Sequence, residues 1–110
     1  MDVYEIIMTV DAADDLIELR DYIAEVLLAP DTALAYIRML CEKIGALGVM
    51  PERNKCLDDE PWRSRGIRKM IVKNFVIYYR IEESDKRVYV LNIIYAEREQ
   101  LRMLAQMEID

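Results

Sequence analysis

The chain has 110 residues, of which 54% are hydrophobic and 33% charged, and its net charge is -6 at pH 7. This is the composition of one globular domain, and no apolar run reaches the roughly 18 residues that a membrane span requires. Because the sequence has no histidine, it excludes Ser-His-Asp and Cys-His catalysis and the commonest zinc sites, all of which use imidazole.

The N-terminal stretch MDVYEIIMTVDAADD does not resemble a secretory signal, because it lacks a basic n-region and becomes acidic within about a dozen positions. Cys41 falls in a helical pattern and Cys56 in a loop, a spacing that matches neither a metal site nor a disulfide framework. We therefore expect a cytoplasmic protein with two free thiols, no metal and no cofactor.

The first half of the chain predicts a strand followed by a helical hairpin. Residues 3–8 are β-branched and aromatic, as is typical of a strand. Asp11 is the predicted N-cap of a first helix, which has apolar residues at helical spacing and ends before Pro30. Asp31 is the predicted cap of a second helix, which Gly48 and Pro51 bring to an end.

The second half predicts a surface loop over residues 51–61 and an antiparallel meander of three strands at 66–72, 75–81 and 88–95. Alternation along the middle strand separates two faces. The face expected to pack on the helices carries Phe75, Ile77, Tyr79 and Ile81. The open face carries Val76, Tyr78 and Arg80.

A short helix is predicted from Glu97 onwards. The whole chain then reads as a single α+β domain over residues 1–110, in the order β-α-α-β-β-β(-α). A helical hairpin packs on one face of a small, mainly antiparallel sheet, and the other face stays open.

The charges of the chain are segregated along the sequence. Residues 1–60 carry 5 basic and 14 acidic side chains, whereas residues 61–80, which we call the basic segment, carry 6 basic and no acidic ones. Its cations are Arg63, Arg65, Arg68, Lys69, Lys73 and Arg80. Such a strip can focus a polyanion onto one face of an acidic protein, although a basic strand is also often no more than a solvated sheet face.

Three tyrosines, Tyr78, Tyr89 and Tyr95, are interleaved with these cations along the predicted sheet. Tyrosine rings and guanidinium groups together suit unpaired RNA, although packing with a hydrogen-bonded hydroxyl explains a sheet tyrosine equally well. Alternation also directs Arg68 and Lys69 to opposite sides of one strand. The pattern therefore favours a broad electrostatic surface over a tight site.

Three blocks of the sequence resemble successive blocks of the RelE/ParE superfamily of toxin-antitoxin toxins, which includes plasmid stabilisation proteins. They are DLIELRDYIAEVLLAPDTALAYIRMLCEKIGALGVMPER, GIRKMIVKNFVIYYRI and VYVLNIIYAER. The resemblance implies a small α+β toxin that is neutralised by an antitoxin wrapped around it, as a homodimer or a toxin-antitoxin heterotetramer. Some relatives cleave messenger RNA on the ribosome, and others poison DNA gyrase.

The resemblance also nominates site residues. In the ribonuclease branch, basic side chains on the concave sheet face bind RNA and stabilise the charge of the transition state. Many relatives have a histidine where this chain has Tyr95, and Glu97 stands where relatives often carry a second basic residue. The catalytic candidates are Arg68, Arg80, Tyr95 and Arg98. The candidates for binding RNA or a partner are Arg63, Arg65, Lys69, Lys73 and Tyr78.

The long helical hairpin is more similar to the gyrase-directed ParE branch than to the compact ribonucleases. The sequence thus predicts a growth-inhibiting toxin that acts on ribosome-bound messenger RNA or on gyrase. The alternative is a non-toxic interaction module whose basic sheet face binds an acidic protein.

Overall fold

The computed structural model describes residues 3–96, and the helix predicted from Glu97 onwards lies outside them. The main elements in chain order are β1 (Glu5–Met8), α1 (Val10–Asp21), a π-helical turn (Tyr22–Val26), α2 (Pro30–Gly45), β2 (Ile67–Val72), β3 (Phe75–Glu82) and β4 (Arg87–Tyr95). Two short 3-10 turns, Ala46–Gly48 and Pro51–Arg53, follow α2. This order confirms the predicted α+β class.

The four strands form one sheet in the order β1-β4-β3-β2. The last three strands pair antiparallel, as predicted, and β1 is inserted parallel to β4. Both helices lie on one side of the sheet. We call that side the helix face and the opposite side the open face.

The starts of the first three elements differ from the predictions. Thr9 caps α1 instead of Asp11, since its hydroxyl oxygen accepts a hydrogen bond from the N–H of Ala12 at 3.2 Å. The second helix begins at Pro30, where the missing N–H of proline costs nothing, so Asp31 lies in its first turn and does not cap it. The first strand begins at Glu5, two residues later than predicted.

The core lies between the helix face and the hairpin. Phe75, Ile77 and Tyr79 of β3 face the helices with at most 1% of their surface exposed, which confirms the predicted alternation. Leu19 from α1 and Leu40 from α2 are buried in the same cluster. Burial of these side chains is the main term that holds the hairpin on the sheet.

A β-bulge interrupts β4. Tyr78 is opposite Asn92, but the next residue, Tyr79, is opposite Val90, so Leu91 is an extra residue without a partner on β3. Before the bulge Val90 faces the helices, and after it Tyr95 does so. The bulge therefore reverses which positions of β4 point to the helix face.

Candidate functional site

A cleft lies on the open face, where the loop of residues 54–65 folds over the beginning of β2. The backbone N–H of Leu57 donates to the carbonyl of Ile67 at 2.9 Å, and the N–H of Ile67 donates to the carbonyl of Trp62 at 3.0 Å. These bonds hold the loop against the sheet. The cleft has a volume of about 1180 Å³. The open face is thus partly covered at this end.

The cleft has a mixed lining. Its cations are Arg53, Lys55, Arg65 and Lys69, and its carboxylates are Asp11, Asp58 and Asp59. Two aromatic side chains, Trp62 and Tyr78, also line it. The carboxylates offset most of the positive charge, so the cleft is not a purely basic pocket.

Arg68 lies outside this cleft, on the helix face. Its Nη1 donates to the backbone carbonyl oxygens of Glu52, at 3.4 Å, and of Asn54. The neighbouring Tyr79 hydroxyl donates to the carbonyl of Pro51 at 2.6 Å and accepts from the Nδ2 of Asn54 at 3.1 Å. Arg68 therefore holds the turn after α2 in place and does not point to the open face.

Arg80 lies on the open face, as predicted. Its Nη1 is 3.1 Å from the Oε2 of Glu82, and its guanidinium group is 4.3 Å from the centre of the Tyr89 ring. The ring contact is close enough for a cation–π interaction. Arg80 is thus held in a fixed position opposite the cleft residue Ile67, but it does not itself line the cleft.

Tyr95 lies on the helix face, opposite to Tyr78 and Tyr89. It is only 6% exposed, and its ring stacks on Phe75 at 4.9 Å between centres and meets Tyr22 edge-on at 6.0 Å. The bulge in β4 is the reason, because without the extra residue Tyr95 and Tyr89 share a face. Arg98 and Glu97 lie outside the described residues.

The five binding candidates are distributed over three places. Arg65, Lys69 and Tyr78 line the cleft. Lys73 is in the β2–β3 turn at a φ of 52°, and its ammonium group lies 5.8 Å from the Tyr36 ring centre on the helix side. Arg63 is exposed in the turn before β2. The structure thus brings together three of these residues and leaves two apart.

The sequence did not single out Trp62, Arg53 or Lys55, although all three line the cleft. Trp62 is 48% exposed, and a large apolar side chain in a polar loop between Pro61 and Arg63 is the signal that was available. No such signal marks Arg53 and Lys55, because only the fold of the loop brings them to the sheet.

Within residues 3–96, no group of three Asp, Glu, Cys or His side chains is arranged to hold a metal ion. Cys41 is exposed and Cys56 half-buried, and both are free thiols. No helix in the same part of the chain is both long and apolar enough to cross a membrane.

Residues 6–100 match the family model described as the ParE toxin of the type II toxin-antitoxin system parDE. The chain belongs to the ParE toxin family. This confirms the resemblance to the RelE/ParE superfamily and makes the protein a toxin of a type II toxin-antitoxin system. No curated protein is significantly similar to the sequence of this toxin.

Solved structures share the fold of this ParE-family toxin. A chain from the chromosomal ParDE system of P. aeruginosa aligns with a TM-score of 0.69 and 23% identity, over 84% of this chain and 96% of that one. The toxin-antitoxin complex RelBE2 from Mycobacterium tuberculosis aligns with a TM-score of 0.62 and 23% identity, over 86% of this chain and 93% of that one. A mutant of the E. coli toxin RelE in the free state aligns with a TM-score of 0.58 and 17% identity, over 98% of this chain and 99% of that one.

Proposed function

We propose that this toxin arrests growth in the cytoplasm by binding DNA gyrase and not by cleaving messenger RNA. The observation that carries the proposal is the separation of the catalytic candidates. Arg80 is on the open face, whereas Arg68 and Tyr95 are on the helix face. A proton donor must come within hydrogen-bond reach of the leaving group, and a sheet lies between these residues.

The contacts of Arg68 and Tyr95 also support binding over cleavage. Turning Arg68 to the open face leaves the carbonyl oxygens of Glu52 and Asn54 without this donor. Turning Tyr95 removes a ring from the packed core beside Phe75. Both side chains stabilise the fold, which favours a toxin that acts by binding.

The family match and the similarity to the P. aeruginosa ParDE chain support the gyrase-directed branch. A second candidate function is ribosome-dependent cleavage of messenger RNA. One observation favours it, namely that Trp62 and Tyr78 line the same cleft as Arg65 and Lys69, and such a combination suits unpaired nucleotides. The similarity to RelE and RelBE2 is consistent with this alternative.

We further propose that an antitoxin segment neutralises the toxin by pairing with the free edge of β2. Ile67 already directs its backbone N–H and C=O away from β3, to Trp62 and Leu57. An isolated bridge between Cys56 and Arg68 covers the edge next to it. Because outward-directed residues alternate along an antiparallel strand, Ile71 presents the same groups beyond that bridge. With Ile71 64% exposed and Lys69 beside it, this edge suits a strand with apolar and acidic residues.

One experiment separates the two target classes. Purified toxin is added to a gyrase supercoiling assay and, in parallel, to a translation extract whose messenger RNA is mapped for breaks. We expect inhibited supercoiling and intact messenger RNA, with supercoiling restored to the control level by the cognate antitoxin. Codon-positioned breaks with unaffected gyrase contradict the proposal and support the nuclease. If induced expression leaves growth normal, the non-toxic interaction module is the better description.

A further inference from the structure

The tip of the helical hairpin exposes apolar side chains that the core does not use. Val26 is 62% and Leu28 83% exposed, and Leu27 and, in the second turn of α2, Leu34 are exposed as well. We call these four residues the hairpin tip. Single exposed apolar residues are ordinary, but a contiguous group of branched side chains is typical of a surface that binds another protein.

The backbone of the tip is irregular and fixed. Tyr22–Val26 form a π-helical turn, and Leu28 has a φ of 52°, a left-handed conformation that is rare and unfavourable for a bulky residue. Its neighbours are tied to the hairpin, since the N–H groups of Leu27 and Ala29 donate to the carbonyls of Tyr22 and Ile23, both at 3.2 Å. The fold thus holds Leu28 outwards at a local cost, as is typical of functional surfaces.

The surroundings of the tip are acidic. Residues 17–34 carry four carboxylates and one arginine, which itself pairs with a neighbouring carboxylate, Asp21, at 3.1 Å. Glu25 and Asp31 flank the apolar residues and are exposed. The basic segment lies on the sheet and its loops, and its Lys73 reaches α2, where its ammonium group is 5.8 Å from the Tyr36 ring centre. The partner that fits the tip is therefore apolar at its centre and cationic at its rim.

We propose that the hairpin tip is the surface by which this toxin binds gyrase, on a cationic part of the enzyme that otherwise contacts DNA. This inference rests on the proposed function. An enzyme that handles DNA neutralises phosphates with lysine and arginine clusters, which complement Glu25 and Asp31. The apolar residues at the centre of the tip become buried on binding and supply most of the binding energy. The charges at the rim steer the encounter. The β2 edge is left for the antitoxin.

The first test removes the apolar side chains of the tip. The double variant Val26→Ser/Leu28→Ser is expected to need about ten times more toxin for half-inhibition of supercoiling. Its melting temperature stays at the wild-type value because both side chains are exposed. Its affinity for the antitoxin also stays unchanged, because the proposed antitoxin site is the edge of β2. Val10→Ser is the matched control, since Val10 is 77% exposed at the other end of α1, and it should inhibit like the wild type.

The second test reverses the charge of the rim. Glu25→Lys/Asp31→Lys is expected to weaken inhibition most strongly at low salt, where charges are least screened. The control with the same charge change is Glu42→Lys/Asp85→Lys, both exposed and remote from the tip.

The outcomes separate this inference from the proposed function. If wild-type toxin inhibits gyrase and the Val26→Ser/Leu28→Ser variant inhibits equally well, the tip is not the gyrase surface and only the inference is overturned. If this variant loses antitoxin binding while it still inhibits gyrase, the tip belongs to the antitoxin, which also overturns it. If the wild type does not inhibit gyrase at all, the proposed function fails and the inference fails with it.

Discussion

At the scale of single residues, two side chains near the start of α1 fix the irregular part of β4. The Thr9 hydroxyl donates to the carbonyl of Val90 at 2.7 Å, and the Asp15 Oδ2 accepts the N–H of Ile93 at 2.8 Å. Because β1 ends at Met8, β4 has no strand partner on this side beyond Val90. The carboxylate of Asp15 takes the role that a strand carbonyl has elsewhere.

Asp15→Ala should lower the free energy of unfolding by about 1–3 kcal/mol, because it leaves the partly buried N–H of Ile93 unpaired. Urea denaturation measures this change. Asp14→Ala is the control, since Asp14 is exposed on the same helical turn, and it should be nearly silent. Asp15→Asn keeps an acceptor and should retain most of the stability. Equal losses for the Ala variants of Asp15 and Asp14 would show that the bond contributes nothing.

The second prediction at this scale concerns Tyr79 and alkaline pH. Burial raises the pKa of the Tyr79 hydroxyl above its ordinary value of 10.0, because an ionised phenolate is poorly solvated in the core. The folded state therefore holds this proton more tightly than the unfolded state. The contribution to stability is complete below the unfolded pKa and is lost as the pH rises through the folded pKa.

Tyr79→Phe should lower the melting temperature at neutral pH, because it removes the hydrogen bonds with Pro51 and Asn54, at a cost of about 1–2 kcal/mol. The same variant should lose less of its remaining stability than the wild type between about pH 9 and pH 11. Some slope will persist, since the hydrogen bond to Glu83 also raises the pKa of Tyr4. Tyr78→Phe is the control on the open face. Parallel curves for Tyr79→Phe and the wild type refute the prediction.

At the scale of elements, β2 has two dissimilar ends. Its beginning is covered by the 54–65 loop through the bonds at Ile67 and the bridge between Cys56 and Arg68, and its end is an open edge at Ile71. Natural proteins usually protect such an edge with charge or cover it with another segment. Lys69 supplies the charge here, and the antitoxin is the proposed cover.

Ile71→Pro should weaken antitoxin binding by about tenfold, equivalent to roughly 1.4 kcal/mol, because it removes an N–H that points outwards from the sheet. The ladder between β2 and β3 does not use this group, and proline is tolerated on edge strands, so the fold should persist. Isothermal titration measures the affinity. Ile71→Thr is the matched control, because it also loses apolar surface but keeps the N–H. If both variants bind equally, strand pairing at this edge is not the mode of neutralisation.

At the scale of the whole molecule, the basic segment does not form a single site. Arg68 braces the turn after α2, Lys73 approaches the helix side, and Arg80 is held by Glu82 on the open face. Of the six cations of the basic segment, only Arg65 and Lys69 line the cleft. The acidic hairpin and the partly basic sheet are thus two surfaces of different charge, which suits a protein with two partners of different chemistry.

The sequence by itself determined the features that depend on local periodicity. The two-residue period of β3 placed Phe75, Ile77 and Tyr79 in the core and Arg80 on the open face, because successive side chains of a strand point to opposite sides. The helical hairpin and the meander followed from apolar spacing and from turn residues in the same way. The ordered blocks of the sequence also identified the superfamily.

Only the tertiary structure decided where Tyr95 points and which residues line the cleft. The face of Tyr95 depends on one extra residue in β4, and that bulge is held by Thr9 and Asp15, which lie 81 and 78 positions from their partners in the chain. The cleft likewise exists because the 54–65 loop folds over β2. No local pattern encodes contacts between residues so far apart, so the strict alternation that was correct for β3 fails beyond the bulge in β4.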